Sequence, residues 1–357
     1  MFKNTLVTII LTLQFFGCST QPSNQKEEIE SDTNGNKEVV AFVYHRFGDS
    51  RFPSTNVSLE HFEAHLKYFK NNDYQVLTFS EAIEYLKSGQ NVKKTAVITV
   101  DDGYKSFYKN GLPLLKQYGF PATLYINTKT VGGGDYMSWS DIKEAKKHNI
   151  EIGNHTHSHD YFLNKSENER YKIFEDEIAL SQKLIEENTG EKPITFAYPY
   201  GELDPKMKAI VADFDFVAAA AQNSGVIYEN SDLMQCPRFP MSEFYSAPAK
   251  FKEKIKMKAL RVNEKQPHSS VINSNTERPE LTLTFDKGNL QTGRLQCFIQ
   301  GNDCDVKLTE QGDDISISIS PKSALGKRRR TLYTITVPDS EGNWHWYSHL
   351  WVNPEVK

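Results

Sequence analysis

The sequence predicts an α/β chain whose parallel strands curl into a barrel-like sheet, followed by a small all-β, sandwich-like unit. Between residues 38 and 257, short apolar runs alternate with helix-length amphipathic stretches, the order of a sheet built from βα units. Several of those runs end in polar groups, as happens where a site sits at the carboxyl ends of barrel strands. Beyond Met257 the texture changes to alternating runs such as Leu281-Thr-Leu-Thr-Phe285 and Ile315-Ser-Ile-Ser-Ile319, separated by turn formers. A chain of 357 residues is long enough for both units.

Taken in order, residues 1–18 resemble a lipoprotein-type export signal. Lys3 gives the positive start, Leu6 to Leu13 an apolar stretch too short to span a bilayer, and Gly17-Cys18 the processing point, so that Cys18 would carry a lipid. Phe15-Phe16 before Gly17 depart from the usual pattern, which keeps plain secretion as the alternative. Residues 19–37 are polar and aperiodic, as a disordered tether is. The expected address is the cell envelope, anchored to a bacterial membrane. A net charge of −4 gives no electrostatic case for a nucleic-acid partner, and the sequence sets no oligomeric state.

Glu38 to Tyr44 reads as a buried strand ending in His45-Arg46. Ser58 caps a helix with Phe62, Leu66 and Phe69 on one face, and Ser80 caps another that Gly89 stops. A strand from Thr95 follows, then a helix restarting at Pro113 and ended by Gly119, then a strand from Ala122 to Ile126. Ser140 opens a helix through Lys147, and Ser166-Glu-Asn-Glu169 forms a capping box for a long helix stopped near Gly190. Ile194 to Ala197 and Phe216 to Ala220 are strands, with a helix start at Asp204-Pro205 between them. Residues 258–279 read as a linker and 280–357 as the β domain. Cys297 and Cys304 either close a small hairpin disulfide or remain two thiols, while Cys236 reads as a small buried hydrophobe.

The chemistry concentrates in two stretches. Thr95-Ala-Val-Ile-Thr-Val-Asp-Asp-Gly-Tyr104 ends a buried strand in adjacent carboxylates, which raise each other's pKa unless something positive neutralises them. Gly153-Asn-His-Thr-His-Ser-His159 offers imidazoles at i, i+2 and i+4. One carboxylate and two imidazoles make a three-ligand metal site with an open position, leaving the other carboxylate free as a base. Histidines four apart share a face if the turn is helical, so His155 and His159 converge while His157 turns to a packing role. On its own, Asp101-Asp102-Gly103 favours a turn with an Asx hydrogen bond, a balance that the histidine cluster downstream reverses.

Together, Thr99-Val-Asp-Asp-Gly103, His155-Thr-His-Ser-His159 and Phe196-Ala-Tyr-Pro-Tyr-Gly201 resemble the first three motifs of the polysaccharide deacetylases, the NodB-like carbohydrate esterases of family four. The resemblance covers roughly Val39 to Met241. It implies a distorted (β/α) barrel of the NodB type that removes acetyl groups from N-acetylated sugars with a divalent metal, zinc first, cobalt, nickel or iron as alternatives. By position it makes Asp102, His155 and His159 the metal ligands and Asp101 the general base, and it gives the backbone N–H of Tyr200 a place beside the oxyanion. Where the family carries an arginine this chain has Ala197, and Arg238 in Cys-Pro-Arg-Phe-Pro is the candidate replacement. No Leu-x-Leu-His segment follows near Met257. The motif layout is closest to the poly-N-acetylglucosamine deacetylases, in which an early Tyr-His, here Tyr44-His45, supplies the general acid; a hydrogen-bonded core histidine is the bland alternative.

Trp139, Tyr104 and Pro199 are the candidates for lining a sugar cleft, Trp139 being equally an ordinary packing residue. In the β domain, Trp344, Trp346, Tyr347 and Trp351 either stack on sugars or fill a sandwich core, and Lys327-Arg-Arg-Arg330 reads as a solvated loop. The expected partner is an acetylated polysaccharide: poly-N-acetylglucosamine, a chitin-like polymer or the peptidoglycan glycan. An O-acetyl esterase on the same scaffold and a glycan-binding lipoprotein without catalysis are the rival readings.

Overall fold

The computed structural model describes residues 36–272, 278–326 and 328–356; the export signal, nearly all of the tether, and Lys327 of the basic run lie outside them. Parallel strands β1 (Glu38–Tyr44), β2 (Thr95–Val100), β3 (Ala122–Ile126), β4 (Ile150–Asn154), β5 (Thr195–Ala197) and β6 (Ala218–Ala220) pair in that order. A short stretch then closes the ring: Cys236 bridges Ala220 of β6, and Phe239 of β7 (Phe239–Pro240) pairs with Phe42 of β1. Gln75–Leu77 and Ile227–Tyr228 add edge pairings to β2 and β1. The result is the expected distorted (β/α) barrel.

Helices α1 (Leu59–Asn71), α2 (Phe79–Lys87), α3 (Leu112–Tyr118), α4 (Trp139–Lys146), α5 (Glu167–Thr189), α6 (Pro205–Ala212) and α7 (Pro248–Lys254) pack on the sheet. Ser58 caps α1 as expected. The next two caps differ from expectation. Thr78 rather than Ser80 caps α2, and Ser138 rather than Ser140 caps α4, each in a capping box closed by an acid three residues on, Glu81 and Asp141. Ser166 precedes α5, but its hydroxyl bonds the Glu169 carboxylate at 2.7 Å instead of a backbone N–H, so no capping box forms there. Gly119 and Gly190 end α3 and α5 in the left-handed conformation.

Strand parity sorts the side chains. Val40 and Phe42 of β1 and Ala96, Ile98 and Val100 of β2 join the core between sheet and helices; Val39, Ala41 and Val97 join a second core with Ala197, Ala218, Ala220 and the buried face of α2. The small residues of that second core make room for Tyr125, which belongs to it, and for Arg238, which reaches Thr99 and Ala221.

The all-β unit starts earlier than the sequence suggests. Residues 258–279, expected as a linker, supply β8 (Lys258–Ala259) and β9 (Val262–Gln266). With β10 (Leu281–Asp286), β11 (Gln296–Ile299), β12 (Cys304–Gln311), β13 (Asp314–Pro321), β14 (Arg330–Pro338) and β15 (Trp344–Val352) they form two four-stranded sheets, ordered β8-β15-β14-β11 and β9-β10-β13-β12. Cys297 and Cys304 are disulfide-bonded, joining edge strands of the two sheets. Both faces of β15 pack on protein. Tyr347 and Trp351 fill the sandwich core, whereas Trp346 meets Phe239 of the ring edge-on at 5.4 Å and Leu350 and Val352 join a barrel core. A cavity of about 350 Å³ lies between the units, lined by Asn223, Lys265 and His349 among others and by none of the metal-site candidates.

Candidate metal centre

Parity and a backbone break separate the neighbouring aspartates. Asp101 continues the inward set of β2 after Val97 and Thr99, while Asp102 takes φ 72° and Gly103 φ 71°, ending the strand and turning the second carboxylate toward the histidines. The histidines converge by a different route from the helical turn their spacing suggests. Residues 155–159 form a loop in which Thr156 (φ 65°) and His159 (φ 58°) are left-handed. Left-handed backbone at non-glycine residues costs about 1–3 kcal/mol each and persists where surroundings enforce it. Here Asn154 does the enforcing: its Nδ2 donates to Ile178 O and Gln182 Oε1 of α5, and its Oδ1 accepts from Thr156 N–H at 2.8 Å. His157 points away and bonds Thr128 Oγ1 at 2.8 Å.

Asp102 Oδ1 lies 3.5 Å from His155 Nε2 and 3.4 Å from His159 Nε2, and the two nitrogens are 3.1 Å apart. His155 Nδ1–H donates to Ala197 O at 2.7 Å, which leaves Nε2 with its lone pair facing inward. Asp102 Oδ1 is buried without a hydrogen-bond partner. Three electron-rich atoms facing one another in a largely buried site call for a cation. Ligands about 2.0–2.1 Å from a tetrahedral zinc are separated by edges of about 3.4 Å, so the spacing fits such an ion. Burial opposes ionisation of Asp102, but its neighbours, the hydrogen bond from His155 first among them, outweigh it and hold the carboxyl well below its usual range. Burial pushes His159 down to about 4, which keeps it neutral, as a ligand must be.

Asp101 is fully buried. Arg238, also fully buried, donates Nη1–H to Asp101 Oδ1 at 2.7 Å and Nη2–H to Oδ2 at 2.8 Å, with Nη1 also bonding Thr99 Oγ1 and Nε bonding Ala221 O. Desolvation alone would raise the Asp101 pKa, and the guanidinium, together with the neighbouring histidines, more than reverses that. The missing arginine at position 197 is thus replaced in space from β7's leading edge.

His45 follows β1, half-buried, and its charge acts on Asp101, Asp102 and His159. Tyr200 (φ 59°) stands after β5, its ring edge-on to His159 at 4.4 Å and stacked on Tyr161 at 3.8 Å. Pro199 beside it is buried. Tyr104 stacks on Tyr136, with the Arg46 guanidinium 3.6 Å from its ring centre. Trp139 packs against the main core at the start of α4, which agrees with its packing alternative. The sequence carries little signal for Asn154, Tyr161 or Arg46, whose roles depend on neighbours far along the chain.

Residues 88–219 match the family model described as polysaccharide deacetylase. Over 215 residues the chain is 27% identical to a Staphylococcus aureus poly-β-1,6-N-acetyl-D-glucosamine N-deacetylase, covering 57% of this chain and 73% of the relative. A polysaccharide deacetylase structure from Bacillus cereus superimposes with a TM-score of 0.54 at 26% identity, covering 62% of this chain and 70% of that one. A Streptococcus pyogenes deacetylase at 20% identity shares the fold, with a TM-score of 0.56 and coverage of 62% and 99%. The ring, the three motifs and these likenesses agree, and over residues 88–219 the chain is similar to the polysaccharide deacetylase family.

Proposed function

We propose that the protein is a divalent-metal-dependent N-deacetylase acting outside the cytoplasm on a polysaccharide of the poly-N-acetylglucosamine type. One observation carries the reading: the unpartnered Asp102 Oδ1 and the Nε2 atoms of His155 and His159 are spaced as one face of a tetrahedron, next to a base held by arginine. An ion held there supplies Lewis acidity to the acetyl carbonyl and to water. Zinc suits this donor set best, and cobalt, nickel and iron(II) also fit it. The name of the Staphylococcus aureus relative supports the polymer, and the lipoprotein-type signal ending at Cys18 supports an envelope address.

The chain's own groups divide the work. Asp101, kept ionised and oriented by Arg238, takes a proton from the attacking water. The backbone N–H of Tyr200 donates to the carbonyl oxygen as negative charge gathers on it. His45 as imidazolium protonates the sugar nitrogen when the C–N bond breaks. The water oxygen ends on the acetyl carbon, the products being acetate and a free amine.

The test is acetate release from poly-N-acetylglucosamine oligomers and from acetylated xylan, with and without a chelator. Chelator-sensitive release from the amide substrate is expected. Release from xylan alone would establish an O-acetyl esterase, and release from neither would leave a binding protein. Asp101→Asn keeps fold and metal and lowers the rate by about 10²–10⁴-fold; an unchanged rate would point to another base.

A further inference from the structure

We infer that the β domain is a working part of the active site, through Arg329 acting as a positioning residue for Tyr200. The inference rests on the deacetylase reading for what Tyr200 does, but its structural basis is independent. Arg329, in the basic run that reads from sequence as a solvated loop, has a side chain only 10% exposed, and Glu202 on the barrel is 4% exposed. Arg329 Nε–H donates to Glu202 Oε1 at 2.7 Å and Nη2–H to Oε2 at 2.6 Å, while Nη1–H reaches Val356 O at 2.8 Å. The same guanidinium sits 4.3 Å from the ring centre of Tyr161. Tyr161 lies flat on Tyr200, 3.8 Å away and 5° from parallel, and Tyr200 meets His159 edge-on. Arg330 adds a longer contact, Nη1 to Tyr200 O at 3.5 Å.

These contacts form a connected series from the β domain to a metal-ligand candidate. Tyr200 needs it because its backbone is left-handed. On its other flank Gly201 (φ 70°) lies so close to Gln222 that a Cβ would come within 2.5 Å of that side chain. The turn 199–201 is therefore gripped from both sides, by the barrel through Gln222 and by the β domain through Arg329 and Glu202. A buried, two-point ion pair spanning two units fixes geometry more than it adds stability, since both charges give up solvation to make it. Fixing the turn holds the N–H of Tyr200 where the acetyl oxygen becomes charged, and misplacing such a donor by about 1 Å costs about 100-fold.

The experiment compares full-length wild-type protein with Arg329→Ala, Tyr161→Ala and Tyr161→Phe, each checked for folding by circular dichroism and for zinc by elemental analysis. Arg329→Ala leaves buried Glu202 with only the longer contact to Arg330 at 3.8 Å, so Tyr161→Ala, which removes no charge, is the second route if that variant does not fold. The expected result is a kcat lowered about 10- to 100-fold with KM and zinc content unchanged, and recovery of the rate in Tyr161→Phe, which keeps the ring. Hydrogen exchange of metal-free protein provides a readout apart from activity: the amides of Tyr198, Gly201 and Glu202, bonded to Ala220 O, Tyr198 O and Pro199 O, lose protection in both alanine variants while those of β2 and β4 do not. Folded variants with wild-type kcat and unchanged exchange would overturn the inference, as would a rate loss matched by loss of zinc. If wild-type protein releases no acetate, the deacetylase reading fails, and the exchange measurement still decides whether Arg329 holds the turn.

Discussion

Arg238 and Asp101 illustrate how one residue's worth depends on its partner. Both are fully buried and bonded through two parallel contacts, so Arg238→Ala strands a carboxylate in the ring and is expected to cost about 3–5 kcal/mol in urea unfolding. Arg238→Lys keeps the charge but loses the fork and falls between the two. Because the Asp101 pKa is lowered on folding, its stabilising contribution is present above the ordinary carboxylate range and is lost as pH falls through the folded value. His65 acts at milder pH. It is buried between Tyr44 Oη, 3.0 Å from Nδ1, and Ser246 O, 2.7 Å from Nε2, and burial pushes it down to about 4. The unfolded chain takes up that proton near pH 6.5 and the folded one only near 4, so stability falls with acidification between them, by about 3 kcal/mol in all. Urea midpoints measured across that range show the slope, and His65→Gln flattens it. At this scale the grouping of Asp102 with His155 and His159 was legible because their motifs are local. The partnership of Asp101 with Arg238 was legible only as a candidate, since ring closure, a long-range event, brings the two together.

Among the elements, β4 carries the tightest constraint. A Cβ on Gly153 would stand 2.3 Å from Tyr125 Cδ1, and a ring packed inside the barrel has little room to move. Gly153→Ala is therefore expected to destabilise by about 1–3 kcal/mol through overpacking. It also displaces His155 two residues on, so a zinc titration should show weakened affinity alongside the lower melting temperature. Element type was readable from periodicity, but two helix starts shifted by two residues for a reason the sequence does contain. Thr78 and Ser80, like Ser138 and Ser140, are paired candidates, and only the first of each has an acid three positions later, Glu81 and Asp141. β9 escaped notice because an exposed edge strand of sequence Val-Asn-Glu-Lys-Gln carries almost no apolar alternation. The histidine loop was misjudged in shape because spacing alone does not distinguish a helical turn from left-handed residues anchored by Asn154.

For the molecule as a whole, the proposed metal reading ties stability to an ion at Asp102, His155 and His159. An ion that binds the folded chain and not the unfolded one adds about 2.7 kcal/mol when free ion stands at 100 times its dissociation constant. Thermal unfolding with added zinc against chelator should show that shift, and Asp102→Asn should abolish it. The order in which the ring is completed has a consequence for synthesis. Asp101 stands at the end of the second parallel strand, but its counter-charge arrives from position 238, in the stretch that joins Ala220 to Phe42. A chain still emerging from the ribosome, or clipped before that stretch, carries the aspartates and the histidines without the arginine that neutralises Asp101. On the proposed mechanism, hydrolytic competence therefore appears only when the barrel has been fully translated and sealed, a built-in delay between making the protein and switching it on.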